Sequence, residues 1–254
     1  MRDVNGIVAE LGPILGSMKD PVVCYSGGLD STVLIRNAAE FCDGFTALFV
    51  RLPMNSSRQL EVAEGVAESL GIDLTVAELG WDDLAGVERN DADRCYLCKT
   101  AIYRKAKDIA GTSPILAGNN ADDSDTYRPG HRAGREQGVI DPLKEAGIGR
   151  KRVIQAVDEL HLPFQMVKDT CMATRYPLGR PIGEREMRFV EDCESAVRKV
   201  SGLHQLRVRI DGGRALVQTS EPEMGEMVRR RTQITYELKS RGLDCDLDLE
   251  PYKG

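Results

Sequence analysis

Ser26-Gly27-Gly28-Leu29-Asp30-Ser31-Thr32 joins two apolar runs and sets the order of the elements around it. The apolar run Pro21-Val22-Val23-Cys24-Tyr25 precedes it and Val33-Leu34-Ile35-Arg36-Asn37-Ala38-Ala39 follows, so the order is strand, tight glycine turn, helix. Gly27 and Gly28 permit turn conformations that a Cβ penalises. Ser31 and Thr32 open the helix, whose unpaired N–H groups and positive dipole end favour a phosphate group. No lysine lies between Ser26 and Arg36, which excludes a Walker loop, where a lysine reaches the terminal phosphates. Asp30 sits inside the loop instead, where a carboxylate suits a magnesium ion on a pyrophosphate.

Around this loop, apolar strands at Phe45 to Val50, Asp73 to Ala77 and Pro114 to Gly118 alternate with helical patterns at Val4 to Met18, Ser57 to Leu70, Cys98 to Ala110 and Arg150 to Leu160. Strand–helix alternation with such crossovers predicts an α/β domain, a doubly wound parallel sheet covered on both faces. Ligands on such sheets lie beyond the carboxyl ends of the strands, where Ser26, Asn119 and Asn120 fall. After Arg150 the texture changes. Pro163 to Pro181 is irregular, Glu184 to Val200 is amphipathic, and His204 to Ile210 and Arg214 to Thr219 flank a Gly212-Gly213 turn that reads as a hairpin. A helix over Glu223 to Arg241 and a strand over Cys245 to Leu249 complete a smaller C-terminal α+β domain. The expected division is 1–165, a linker at 166–183 rich in functional residue types, and 184–254.

The bulk properties narrow the function class. A chain of 254 residues accommodates one large domain with an appendage, and 41% hydrophobic with 29% charged residues is ordinary for a soluble globular protein. No segment approaches the roughly 20 apolar residues of a membrane span. The start, Met1-Arg2-Asp3-Val4-Asn5, lacks a signal-peptide layout, so a cytoplasmic location is expected. A formal charge of −6 argues against a broad nucleic-acid surface despite local runs at Arg207-Val208-Arg209 and Arg229-Arg230-Arg231.

Seven cysteines in such a chain point away from a disulfide framework. Cys95 and Cys98 are three positions apart near a helix start and flanked by Arg94 and Lys99, a setting that lowers thiol pKa values. Cys171 lies in the polar stretch Lys168-Asp169-Thr170-Cys171-Met172-Ala173-Thr174-Arg175, unlike a core cysteine. Cys24, Cys42 and Cys193 read as small buried hydrophobes. For Cys95, Cys98 and Cys171, three readings compete. Structural zinc wants a fourth ligand. A thioredoxin-like pair leaves Cys171 idle. A 4Fe-4S cluster held by three thiolates has one open iron for a small ligand such as hydrosulfide.

The loop resembles the PP-loop of the ATP pyrophosphatases, which implies cleavage of ATP between its α and β phosphates and an adenine nucleotide alpha hydrolase-like sheet. More specifically, Gly118-Asn119-Asn120-Ala121-Asp122-Asp123-Ser124-Asp125-Thr126-Tyr127-Arg128-Pro129-Gly130, then Pro142-Leu143, Cys171 to Gly179 and Leu206-Arg207-Val208-Arg209, resemble the LarE family nearly end to end and in order. Those proteins are ATP-dependent sulfur transferases of nickel-pincer nucleotide cofactor synthesis. The resemblance implies ATP, Mg²⁺ and a substrate, pyridinium-3,5-biscarboxylic acid mononucleotide, whose carboxylate is adenylated and then converted to a thiocarboxylate. It implies nucleotide binding by Ser26, Gly27, Gly28, Asp30, Ser31, Thr32 and Asn119, with Asp30 and Cys171 catalytic. Members with a single cysteine matching Cys171 sacrifice it. Those with a pair matching Cys95 and Cys98 resemble cluster enzymes, so the resemblance implies a 4Fe-4S cluster on Cys95, Cys98 and Cys171 that carries exogenous sulfide from a donor. Relatives form trimers or hexamers, and a homo-oligomer is expected.

Arg207 and Arg209 alternate on a strand and share a face, where two guanidiniums can grip a phosphate; Thr174 and Arg175 match a family pair near substrate. Asp122, Asp125, Arg128 and Glu194 are further candidates for magnesium or substrate, against a polar loop that caps its own turns. The histidines, His131, His161 and His204, lie in no catalytic-looking context. Rival functions are a 4Fe-4S-dependent tRNA thiolase, which needs a basic RNA face, an amide-forming PP-loop synthetase, which leaves three cysteines unexplained, and a non-enzymatic nucleotide sensor.

Overall fold

A computed structural model of the chain describes residues 7–125, 129–161 and 170–251. The chain divides into two compact units, the first comprising Met1–Leu52, Ser57–Val87 and Asp93–Met166, the second Pro53–Ser56, Glu88–Ala92 and Val167–Gly254.

In the first unit, helix α1 (Ile7–Leu15) leads to β1 (Val22–Cys24), and the Ser26–Gly28 turn to α2 (Leu29–Phe41). Then follow β2 (Thr46–Arg51), α3 (Ser57–Ser69), β3 (Leu74–Glu78), α4 (Arg94–Ala110), β4 (Ile115–Ala117), α5 (Pro129–Gln137), α6 (Pro142–Glu145) and α7 (Arg150–Glu159). The strands form one parallel sheet in the order β3-β2-β1-β4, in register Val22–Thr46 and Val22–Ile115. The order in which strands are added switches sides between β1 and β4, the crevice in which open α/β sheets bind ligands. Alternate strand residues enter different clusters. Val23 and Leu116 pack with Leu34, Ile35 and Val153, whereas Cys24 and Ala117 pack with Tyr103 and Ala133. Helices contribute to each cluster. α7 does so with the stripe Val153, Ala156, Val157, at the spacing of one helix face.

The helix expected from Cys98 begins earlier, at Arg94, because Leu97 N–H donates to Asp93 O at 3.0 Å and closes the first turn there. Both Cys95 and Cys98 are thus inside α4.

In the second unit a short 3₁₀ turn (Met172–Arg175) precedes α8 (Glu184–Ser201), β5 (Leu206–Asp211), β6 (Arg214–Thr219), α9 (Met224–Arg229), α10 (Arg231–Ser240) and β7 (Asp244–Leu247). The sheet runs β5-β6-β7, with β5 antiparallel and β7 parallel to β6. Gly212 and Gly213, at φ 53° and 83°, make the hairpin turn that residues with a Cβ resist. α8 ends at Gly202, which is left-handed at φ 72°. The single helix expected over Glu223 to Arg241 is two helices, broken at Arg230, whose φ of −91° and ψ of 7° leave the helical region. The expected linker at 166–183 is described only from Thr170 onward.

Candidate functional site

The loop after β1 is organised by its own side chains. Gly28 O accepts Thr32 N at 3.0 Å, Ser31 Oγ at 3.0 Å and Thr32 Oγ1 at 3.0 Å, while Ser26 N donates to Ser31 Oγ at 3.2 Å. Gly27 takes a left-handed φ of 74°. Gly118, just past β4, abuts the start of α2. A Cβ there would lie 2.8 Å from Ser31 N, so only glycine lets the two strand ends and the helix meet this closely. Ser26 and Gly28 are exposed, and Ser31 and Thr32 are buried beneath them. An exposed glycine turn on a helix N-terminus fits the phosphates of a nucleotide.

Asp30 is not a bare carboxylate. Its Oδ1 accepts Asn120 Nδ2 at 2.8 Å and its Oδ2 accepts Arg150 Nη1 at 2.6 Å. Asn119, the neighbouring candidate, donates to Asp141 Oδ1 at 2.8 Å. Burial raises the Asp141 carboxyl above its ordinary value, against the hydrogen bond from Asn119. Asp122 caps α7, accepting Arg150 N at 2.6 Å. The side chain of Asp125, and Arg128 entirely, lie outside the described residues. Sequence reasoning missed Arg150 and passed over Asn120 in favour of its neighbour. Arg150 is far from the loop along the chain, and no local pattern marks it.

On α4, Cys95 is exposed and Cys98 half-buried, one turn apart on one face. Arg94 Nη2 lies 3.8 Å from Cys95 Sγ. Tyr96 packs at the edge of the Tyr103 cluster and donates to Glu136 Oε2 at 2.5 Å, with the Arg132 guanidinium 3.8 Å from its ring centre. Burial pushes the Cys24 thiol up to about 11, so at neutral pH it is an inert thiol.

In the second unit Cys171 is half-buried on a tightly held turn. Its carbonyl accepts Thr174 N at 3.0 Å and Thr174 Oγ1 at 2.8 Å, and Met172 N donates to Met54 O at 3.0 Å. Arg175, 1% exposed, donates from Nη1 to Thr170 O at 3.0 Å and Thr170 Oγ1 at 2.6 Å, and from Nε to Glu194 Oε1 at 2.7 Å. Glu194, also 1% exposed, further accepts Val208 N at 3.1 Å and Arg198 Nη2 at 3.1 Å. The sequence reading put Arg175 on a substrate phosphate and Glu194 on magnesium or substrate. The structure turns both inward, onto each other, because one buried charge requires the other.

Arg207 and Arg209 share a face of β5, Arg207 buried and Arg209 exposed, with Arg209 Nε donating to Gln218 Oε1 at 2.6 Å. On that face a cavity of about 390 Å³ is lined by Thr174, Tyr176, Arg209, Arg214, Leu216 and Asp246, among others. Arg214 pairs with Asp246 at 2.6 Å. Thus Thr174, Arg175 and Arg209 border one pocket, while Cys95 and Cys98 belong to the first unit and Cys171 to the second. Among the described residues no group of three or more His, Cys, Asp or Glu gathers to hold a metal ion, and no helix is long and apolar enough to cross a membrane.

No protein-family model matches the chain. It is similar along nearly its whole length to the pyridinium-3,5-bisthiocarboxylic acid mononucleotide synthase of Lactiplantibacillus plantarum, 26% identical over 240 residues, 92% of this chain and 87% of that protein. An uncharacterized protein of Synechocystis is 27% identical over 96% of the chain and 93% of its own length. Another, of Methanocaldococcus jannaschii, is 27% identical over 92% of the chain and 91% of its own length. The similarity to a synthase over both units supports a related enzymatic function, and the parallel sheet with its loop after β1 is consistent with a PP-loop domain.

Proposed function

We propose that the chain is an ATP-dependent sulfurtransferase that adenylates a carboxylate of pyridinium-3,5-biscarboxylic acid mononucleotide and converts it to the thiocarboxylate. The observation that carries the reading is whole-length similarity to a synthase of the corresponding bisthiocarboxylic acid mononucleotide, in a chain whose glycine loop ends β1 at the sheet's switch point. A carboxylate resists sulfur nucleophiles because oxide is a poor leaving group. Attack of its oxygen on the α phosphate of ATP forms the acyl-adenylate and breaks the α–β bond, releasing pyrophosphate. Attack of hydrosulfide on the acyl carbon then expels AMP, and the proton of hydrosulfide goes to solvent.

In this reading the N–H groups of the Ser26–Ser31 turn receive the phosphates of ATP, with Mg²⁺ neutralising charge beside them. The cleft bordered by Arg209 receives the nucleotide phosphate of the substrate, with Arg207 buried two residues earlier on β5. Arg175, tied to Glu194 and to Thr170, holds the backbone beside Cys171 at the border of that cleft. Cys95, Cys98 and Cys171 are thiols of the kind a 4Fe-4S cluster takes, and such a cluster, when bound, supplies an iron coordination position for sulfide.

The test is an anaerobic reaction with ATP, Mg²⁺, the dicarboxylate mononucleotide and sulfide, read by AMP, pyrophosphate and the mass of the product. The thiocarboxylate is expected, and Cys171→Ala should lose it. ATP turnover without thiocarboxylate, or sulfur appearing in tRNA instead, overturns the reading. Iron and sulfide analysis of wild type against Cys95→Ala decides the sulfur route: conversion of Cys171 to dehydroalanine in a cluster-free protein would replace the cluster by a sacrificed cysteine.

A further inference from the structure

The glycine loop has no lysine, yet a triphosphate carries several negative charges that turn N–H groups and one metal ion leave partly unmatched. We infer that Arg150 is the cation of this loop, held by Asp30 so that its guanidinium meets the pyrophosphate portion of ATP. The inference rests on the reading that the loop binds ATP. It goes beyond that reading by naming a phosphate-binding residue outside the loop.

Four features of the first unit support it. Arg150 Nη1 lies 2.6 Å from Asp30 Oδ2, which brings the guanidinium to the first turn of α2, where the phosphate-binding N–H groups are. Its side chain is 35% exposed and that of Asp30 21%, so the pair faces solvent from the loop and is not sealed into the core. Among the described residues Nε and Nη2 of Arg150 find no acceptor, whereas Nη1 is taken by Asp30. One edge of the planar fork is thereby fixed and the other left for a ligand, the geometry in which arginine binds phosphate oxygens bidentately.

The fourth feature is the scaffold. The turn after β4 holds both members of the pair. Asn120 Nδ2 donates to Asp30 Oδ1 at 2.8 Å, and two residues later Asp122 Oδ2 accepts Arg150 N at 2.6 Å. Asn120 is itself fixed, because its Oδ1 accepts Asp122 N at 3.0 Å and its own N donates to Asp123 Oδ2 at 3.1 Å. Gly149 lets this cap approach, since a Cβ there would stand 2.8 Å from both Asp122 oxygens. So much fixed hydrogen bonding around a half-exposed arginine positions the group before any ligand arrives. Asp30 is then a positioning residue for Arg150 as well as a neighbour of the phosphates.

The experiment is calorimetric titration of wild type, Arg150→Ala, Arg150→Lys and Arg152→Ala with Mg²⁺–pyrophosphate, Mg²⁺–ATP and AMP. Arg150→Ala should bind pyrophosphate and ATP at least tenfold more weakly and AMP within twofold of wild type, because AMP lacks the phosphates that Arg150 meets. Arg150→Lys should recover part of the loss, keeping charge without the fork. Arg152, two residues along α7 and paired with Glu10 at 2.6 Å, is the control and should bind all three as wild type does. Thermal melts verify folding, and should the alanine variant not fold, the lysine variant carries the comparison. Pyrophosphate binding by Arg150→Ala equal to or tighter than wild type overturns the inference, the tighter result meaning that Arg150 merely latches Asp30. Failure of the wild type to bind ATP or pyrophosphate overturns the ATP reading itself.

Discussion

One carboxylate–arginine pair in each unit invites comparison, because the two differ in burial, and the difference separates ligand chemistry from scaffold chemistry. Asp30 and Arg150, in the first unit, are 21% and 35% exposed, and the arginine has donors to spare. Glu194 and Arg175, in the second, are both almost fully buried, and the glutamate's oxygens are shared among Arg175, Arg198 and the Val208 N–H. A half-exposed pair can exchange partners for a ligand because water and the ligand compensate whatever it releases. A buried pair cannot, because each released donor or acceptor would stay desolvated. The first pair is therefore the one suited to meeting a ligand. The second ties α8, β5 and the Cys171 turn into one piece.

The largest expected effect breaks the second pair. Glu194→Ala leaves Arg175 buried without its counter-charge and should cost about 3–5 kcal/mol in chemical denaturation. A loss below about 1 kcal/mol would mean that the pair is not buried in solution. Next, Gly118→Ala drives a methyl group to 2.8 Å from Ser31 N, a backbone atom that cannot swing aside. The cost should be about 1–3 kcal/mol, accompanied by loss of ATP binding. Arg150→Ala, by contrast, should change stability by about 1 kcal/mol or less, since partly exposed ion pairs contribute little. A loss as large as that of Glu194→Ala would erase the distinction between the two pairs.

A further effect is confined to alkaline solution. Burial raises the Cys24 and Cys193 thiols from an ordinary 9.0 to about 11. Below pH 9 both states carry the thiol, and the contribution to stability is complete. As pH rises from 9 towards 11 the unfolded chain ionises first, so stability falls across that window. Cys24→Ser should flatten the fall in denaturation midpoint, and an unchanged slope would place its source elsewhere.

Much of this was legible along the chain because the signals are local. Glycines at Gly27 and Gly28, apolar runs of strand length and a serine-opened helix reveal the loop from neighbouring residues alone. A Gly-Gly dipeptide likewise marks the β5–β6 hairpin. Even Glu194 carried a readable sign, since it falls in the buried stripe Met187, Val190, Cys193, Val197 of α8, where an unpaired carboxylate is untenable. Its partner was not readable, and Arg175 was assigned to substrate phosphate on the family resemblance.

The order of strands and helices and the residue types of the glycine loop follow from local sequence, through backbone preference and hydrophobic period over a few neighbours. The tertiary structure alone decided which charges meet. Asp30 finds Arg150, and Arg175 finds Glu194, only after the sheet and helices have packed. An ion pair's role depends on its burial, and burial is a property of the whole fold.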